Sequence, residues 1–426
     1  MRDVLPEEAR RWRYVETRLL QVLLSHAYEE VHLPLLEATE LFSRGVGEAT
    51  DIVEREMYNL ADRDGEGLTL RPEGTAGCVR ALLQHGLLFN QTQRVFYSGP
   101  MFRYERPQRG RYRQFYQIGA EAFGFRGPDV DVELILLGRD FWRALGVEEQ
   151  VELEINTLGS GTARGIYRDA LIAYLTPLKN ELDEASQRRL VKNPMRILDS
   201  KDPATQVLLR DAPKLPDFVD PEGKAHYDDL KEWLTEIGVP YRENPGLVRG
   251  LDYYTDTVFE WTTRSLGAQG TVCAGGRYDG LVERLGGRPT PAAGFALGLD
   301  RVVLLHQEVH ETPQRQGKNQ PEPNFAASAD VYVCVLKEAL AGDAMRVAEQ
   351  LRIGLPGLRI RSHAGGGKLK SQLKRADLSG AAWAILISEE EMQEGRISVK
   401  FLREERAQQS LSPEALIELL QKQPES

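Results

Sequence analysis

At the amino end, hydrophobic residues recur at helical spacing: Trp12, Val15, Leu19 and Leu23 follow Pro6, which predicts an amphipathic helix over residues 7 to 24. The next stretch, YEEVHLPLLE, reads as a strand. Two aromatic and β-branched runs, Val95 to Glu105 and Arg113 to Phe123, flank a turn region at Pro107 and Gly110, so an antiparallel hairpin with a long basic loop is expected. Val151, Leu153 and Ile155 alternate with acidic residues, the pattern of a half-buried strand. From about residue 161 to 240 the chain becomes polar, charged and helical in period, and this stretch is read as an inserted helical domain. Strand character returns at Val248 to Trp261 and at Thr271 to Ala274, after which GFALGLDRVVLL passes from a glycine-rich strand into a helix.

Residues 311 to 329, ETPQRQGKNQPEPNFAASA, have the Pro-, Gln-, Asn- and Ser-rich composition of a solvated linker. From Asp330 the runs VYVCVL, LRIRSH, AAWAILIS and ISVKFL alternate with helical stretches, which predicts a small α/β domain. The expected division is therefore 1–318 for a first domain, 319–329 for a linker and 330–426 for a second domain.

A length of 426 residues leaves room for that arrangement. No apolar run approaches the roughly 18 residues of a membrane-spanning helix, and the start, MRDVLPEEARRWRYVE, has the character of neither a secretory nor an organellar targeting peptide. A cytoplasmic location and no membrane partner are expected. Cys78, Cys273 and Cys334 are too scattered for a metal knuckle or a disulfide framework and are expected as buried thiols. The net charge of −10 argues against a polyanionic partner until its distribution is considered. Residues 94 to 113 hold six arginines against Glu105 alone, and residues 359 to 375 hold six Lys/Arg with no acid. Positive charge is concentrated at two places suited to an anion.

Neither GxxxxGK[ST] nor GxGxxG occurs, because the glycines of HAGGGKLK lead to no Ser or Thr after the lysine, so a nucleotide must be held by other means. His306 and His310 in HQEVH share a helical face but lack the glutamate of HExxH, and no metal site is expected there.

Five segments carry a resemblance: LTLRPEGT at 68–75, FRYERPQRGRYRQFYQIGAE at 102–121, LVRGLDYYTDTVFEW at 247–261, CAGGRYDGL at 273–281 and GFALGLDR at 294–301. In this order, along nearly the whole chain, they resemble the bacterial histidyl-tRNA synthetases, which are class II aminoacyl-tRNA synthetases. The resemblance implies an α+β fold with a class II antiparallel-sheet catalytic core, a helical insertion and a C-terminal α/β anticodon-binding domain. It implies ATP-dependent attachment of L-histidine to tRNA(His) through histidyl-adenylate, with Mg²⁺ accompanying ATP and Glu105 as a carboxylate near that ion. It implies a homodimer built on residues 8 to 37, which end near Pro34. Family members usually carry about ten further residues before the MRDVLP stretch, and a short start is expected to weaken the dimer edge.

The chemistry of these residues suits the implied roles. An arginine on a rigid strand meets an α-phosphate bidentately, which points to Arg103, and a second cation at Arg249 in RGLDYY neutralises charge that develops there as pyrophosphate leaves. These two are the expected catalytic residues. The resemblance assigns Glu105, Arg111, Tyr112 and Arg301 to ATP and Gln108 and Arg113 to tRNA. It places an anticodon grip in the 359–375 segment with Lys368 and Lys370. Asp300 stands where Glu commonly precedes the last arginine, one methylene shorter. An imidazole with one donor and one acceptor nitrogen suits a carboxylate and a tyrosine hydroxyl, assigned by resemblance to Glu121 and Tyr254. Glu73, Thr75 and Gln117 fall to the substrate ammonium, Tyr253 and Tyr278 shape the pocket, and Gly276 and Arg277 are expected in its wall. The alternative is a non-catalytic synthetase-like regulatory subunit of histidine biosynthesis; such relatives lack the terminal domain and lose catalytic arginines, whereas Arg103, Arg249 and Arg301 are all present.

Overall fold

A computed structural model describes residues 1–48, 50–198, 200, 202–267, 270–311 and 324–422. Contacts divide the chain into two compact units. One is built from Met1–Asp3 and from Tyr14 to the described end at Glu311, the other from Val4–Arg13 and Asn324 to Lys422.

Helix α1 (Pro6–Ser25) belongs to the first unit from Tyr14 onward, where it buries Val15, Leu19 and Leu23 of the stripe its spacing predicts. YEEVHLPLLE does not form one strand. It yields β1 (Glu29–Glu30) and β2 (Leu36–Ala38), separated around Pro34, which has no N–H to give to a ladder. After α2 (Thr39–Val46), β3 (Tyr58–Ala61) and β4 (Gly67–Leu70) join β2 in a small antiparallel sheet, and α3 (Thr75–Gln84) follows. The predicted hairpin is present as β5 (Gln93–Phe102) and β6 (Gln114–Phe123), paired from Gln93↔Phe123 to Phe102↔Gln114. Helix α4 (Asp129–Ala144) buries Leu134, Leu137, Phe141 and Trp142 against the sheet.

Strand β7 (Glu152–Thr157) is buried from Leu153 onward rather than half-buried. It lies between two neighbouring strands, and Glu154 stays inside because Arg242 and Asn244 donate to its carboxylate. The insertion comprises α5 (Gly161–Leu175), α6 (Glu184–Lys192), α7 (Pro203–Leu209) and α8 (Pro221–Glu236), capped in turn by Ser160, Asp183, Asp202 and Asp220. Its Tyr167, Leu171, Leu175 and Leu190 belong to the same apolar cluster as Phe123, Tyr253 and Tyr278, so the insertion shares the core of this unit. After β8 (Arg242–Glu243), β9 (Thr255–Thr262) begins later than expected. The run from Val248 to Tyr254 is irregular, interrupted by Gly250, and one side chain, Arg164, takes two of its carbonyls. The unit closes with β10 (Thr271–Arg277), α9 (Leu281–Arg284), β11 (Ala292–Gly298) and α10 (Leu299–His310). The main sheet has eight strands in the order β1-β5-β6-β11-β10-β9-β7-β8, antiparallel except at the two edge pairs.

The second unit runs β12 (Val331–Val335), α11 (Ala341–Gly354), β13 (Ile360–Ser362), α12 (Leu369–Leu378), β14 (Trp383–Ile387), α13 (Glu389–Gln393), β15 (Ile397–Phe401), β16 (Gln409–Leu411) and α14 (Pro413–Gln421). Its sheet order is β13-β12-β14-β15-β16, with the first three strands parallel, as an α/β pattern requires. Of the expected linker, residues up to 323 lie outside the described residues. The remainder is solvated only in alternation: Asn324 and Ala326 are exposed, but Phe325, Ala327 and Ala329 are buried, and the Phe325 carbonyl accepts from Arg10 Nε at 2.7 Å.

All three cysteines are buried and unbonded, and burial pushes each thiol up, Cys334 to about 12. Among the described residues, no helix is long and apolar enough to cross a membrane.

Candidate active site

Strands β6, β10 and β11, the β5–β6 loop, the start of α3 and the segment before β9 surround a hollow of about 220 Å³ that opens to solvent. Arg103 enters it from the hairpin and Arg249 from the irregular segment, so two cations from distant parts of the chain face one space. Arg103 is braced by Nε donating to the Pro72 carbonyl at 2.8 Å and lies 5.2 Å from the Phe115 ring centre. Arg249 is ion-paired with Glu260 and sits 5.5 Å from the Tyr254 ring. Burial opposes its charge, but Glu260 and the two tyrosines outweigh this and hold its pKa above the ordinary value. Glu260 also accepts from Thr271 Oγ1 at 2.9 Å, which fixes it behind the guanidinium.

The remaining lining carries both signs. Glu105 pairs with Arg111, whose Nη2 lies 2.8 Å from Oε1. Arg301, at the start of α10, donates to the carbonyls of Gly110 at 3.0 Å and Thr271 at 2.7 Å, tying the hairpin loop to β10. Tyr112 lies under the Arg2 guanidinium at 4.5 Å. Asp300 Oδ2 accepts from the Tyr116 N–H at 2.8 Å, so the shorter acid still anchors β6 to α10.

Glu73 lines the hollow and accepts from the N–H groups of Thr75 at 2.7 Å and Ala76 at 2.9 Å, capping α3. Gln117 projects from β6, and its buried Oε1 has no hydrogen-bond partner. A buried acceptor left open is costly, and here it faces space a ligand donor would fill. Tyr253 and Tyr254 complete this end, their rings 4.7 Å apart.

Glu121 and Tyr278 are not on the lining. Glu121 lies fully buried behind Thr75, where it accepts from Thr75 Oγ1 at 2.7 Å, Tyr97 at 3.1 Å and Tyr278 at 2.5 Å. Burial raises its pKa from 4.5 to about 8 despite these three donors. The unfolded carboxyl ionises near its ordinary value while the folded one keeps its proton up to about 8, so folding takes up a proton between those limits. Stability is therefore expected to fall as pH rises through that window and to level off above it, by an amount on the order of a few kcal/mol. Urea unfolding of the wild type and Glu121→Gln at several pH values measures it; equal slopes for the two proteins would contradict the protonated carboxyl.

Gly276 and Arg277 are also not wall residues. Arg277 is buried, 3.0 Å from Asp131, and donates to the carbonyls of Phe125 and Gly127, so it holds the sheet to α4. Gln108 and Arg113 lie on the hairpin loop outside the lining, with Arg113 stacked 3.9 Å from the Tyr104 ring centre. Lys368 and Lys370 stand at the start of α12 in the second unit. His306 and His310 stack at 4.4 Å, and no metal-ligating cluster occurs among the described residues.

Sequence reasoning missed Tyr97 and Glu260. Tyr97 pairs across the hairpin with Gly119, and an aromatic opposite a glycine is a sequence sign of a ring laid over a strand. Glu260 is an acid between Phe259 and Trp261, an anomaly in an apolar strand that signals a buried cationic partner.

A family model described as Histidyl-tRNA synthetase matches residues 1–302, and one described as Anticodon binding domain matches residues 330–423. Among solved structures, the chain is similar to apo S. aureus histidyl-tRNA synthetase, at 33% identity and a TM-score of 0.78 over 99% of this chain and 98% of that one. It shares its fold with a histidyl-tRNA synthetase from Nostoc sp. PCC 7120, at 19% identity and a TM-score of 0.70 over 99% and 98% of the two chains. An ATP phosphoribosyltransferase regulatory subunit/histidyl-tRNA synthetase from Bacillus halodurans is likewise similar in fold, at 22% identity and a TM-score of 0.61 over 88% and 94%.

Proposed function

The chain belongs to the histidyl-tRNA synthetase family, and from that premise we propose that it joins L-histidine to tRNA(His) at the expense of ATP. In the first step the histidine carboxylate attacks the ATP α-phosphorus, the bond to the bridging oxygen breaks, and pyrophosphate leaves with its electron pair. In the second, the terminal ribose hydroxyl of tRNA attacks the adenylate carbonyl, loses its proton and releases AMP.

The observation that supports this reading most is the pair Arg103 and Arg249 on one hollow that also holds an open buried acceptor, Gln117. In this reading Arg103 meets the α-phosphate in the ground state and Arg249 strengthens its hold as charge grows there. Glu105, Arg111, Tyr112 and Arg301 receive ATP. Glu73, Thr75 and Gln117 receive the ammonium, Tyr253 and Tyr254 face the imidazole, and Glu121 and Tyr278 act from behind them, Glu121 through its bond to Thr75. Three carboxylates line the hollow: Glu73 is occupied with the α3 cap and Asp300 with the Tyr116 N–H, so Glu105, held by Arg111, is the one assigned to share an ion, Mg²⁺, carried mainly by the ATP phosphates and water. When bound, that ion withdraws charge from the departing pyrophosphate.

The proposed division of labour follows the domains expected at 1–318 and 330–426. The first carries the chemistry, with Gln108 and Arg113 at the tRNA acceptor end, and the second grips the anticodon through Lys368 and Lys370. A homodimer through residues 8 to 37 and a cytoplasmic location belong to the same proposal.

ATP–pyrophosphate exchange, run with each amino acid in turn, tests the reading. Exchange with histidine alone is expected. Exchange driven equally by another amino acid overturns the substrate, and histidine binding without exchange favours the non-catalytic regulatory subunit.

A further inference from the structure

The segment from Arg249 to Tyr254 supplies Arg249, Leu251, Tyr253 and Tyr254 to the hollow, yet it belongs to no strand or helix. Its main-chain groups must find partners elsewhere. The Asp252 N–H donates to the Val46 carbonyl at 3.1 Å. From the other side, Nη1 of Arg164, in α5 of the insertion, donates to the carbonyl of Asp252 at 3.4 Å and to that of Tyr254. A second insertion residue, Asn193, donates from Nδ2 to Asp252 Oδ1 at 3.1 Å. The insertion therefore grips this segment from behind, at the residue that stacks on Arg249.

We propose that Arg164 is a positioning residue for the amino-acid half of the site: its guanidinium pins the Tyr254 and Asp252 carbonyls and so sets where Tyr254 and Arg249 stand. A cationic donor strengthens each of these bonds relative to a neutral one. The ATP half is built differently. Arg103 is braced by Pro72, Arg111 by Glu105 and Arg301 by Gly110 and Thr271, none of which Arg164 touches. Loss of Arg164 thus loosens the histidine side and the cation Arg249 that acts as pyrophosphate leaves, while the ground-state ATP contacts of Arg103, Arg111 and Arg301 keep their own braces.

This inference rests on the reading of the hollow as the site of histidyl-adenylate formation, so wild-type exchange with histidine is measured first. No histidine-dependent exchange in the wild type defeats that reading, whatever the variants do. Given wild-type activity, Arg164→Ala, Arg164→Lys and Arg168→Ala are compared in the full-length chain, with active sites counted by the adenylate burst. Arg164→Ala is expected to raise the histidine KM at least tenfold and lower kcat, with the ATP KM changed less than threefold. Arg164→Lys is expected to recover most of the histidine KM, because an ammonium still reaches one carbonyl. Arg168→Ala, an exposed neighbour paired with Asp169, serves as the control and is expected to match the wild type. A histidine KM within twofold of wild type in Arg164→Ala overturns the proposal, as does a parallel rise in both KM values. If Arg164→Ala yields no countable sites, Arg164→Lys and Arg164→Gln decide by the same split.

Discussion

Replacing Arg249 with alanine is expected to lower kcat for histidine-dependent pyrophosphate exchange by roughly 100- to 1000-fold, the cost of removing one preorganised donor from a developing charge. The effect should fall on kcat rather than on the KM for either substrate, because the contact gains strength only as pyrophosphate departs. The surroundings deepen the loss. Glu260 is held in place by Thr271 and by Arg249 itself, so the alanine variant leaves a carboxylate beside the phosphate with its cation gone. A second substitution, Glu260→Gln in the Arg249→Ala background, is expected to restore part of kcat by removing that negative charge. Steady-state exchange on the two variants measures this; a kcat within fivefold of wild type in Arg249→Ala contradicts the phosphate role.

Gly294→Ala is expected to cost about 3 kcal/mol of stability, at the upper end of overpacking in a core, and to abolish exchange. Gly294 lies in β11, paired with Glu121 on one side and Gly276 on the other. A Cβ there would sit 1.8 Å from Glu121 Oε2 and 2.6 Å from the Ala120 carbonyl oxygen. The carboxylate cannot swing aside without surrendering Thr75, Tyr97 and Tyr278 together. Either the strand pairing opens or the polar cluster behind the hollow breaks, and both reach the substrate. Urea denaturation gives the stability change, and a loss under about 1 kcal/mol would show that the strands tolerate the methyl.

The pieces legible in the sequence are those with a strong local period or a turn signal. The hairpin around Pro107 and Gly110 and the strand-to-helix passage at Gly298 were readable because the change in pattern falls within a few residues. The segment before β9 misled because Val248, Tyr253 and Tyr254 have the composition of a strand, while the Asp252 and Tyr254 carbonyls are taken by Arg164 of a helix some 90 positions earlier, which no local pattern records. For the same reason Arg103 and Arg249 were recognisable as cations with work to do, but the roles of Tyr97 and Glu260 depend on cross-strand and cross-element neighbours. The burial of Glu121 behind Thr75 is likewise a property of packing, and the sequence shows only that a carboxylate stands in an apolar strand.

The three sequestered thiols have a practical corollary. With thiolate formation suppressed at each, including Cys273 at the edge of the hollow, a thiol-directed electrophile meets no reactive cysteine while the fold holds. Alkylation by iodoacetamide then reports opening rather than chemistry: the order in which Cys78, Cys273 and Cys334 acquire label maps which parts of the chain breathe first.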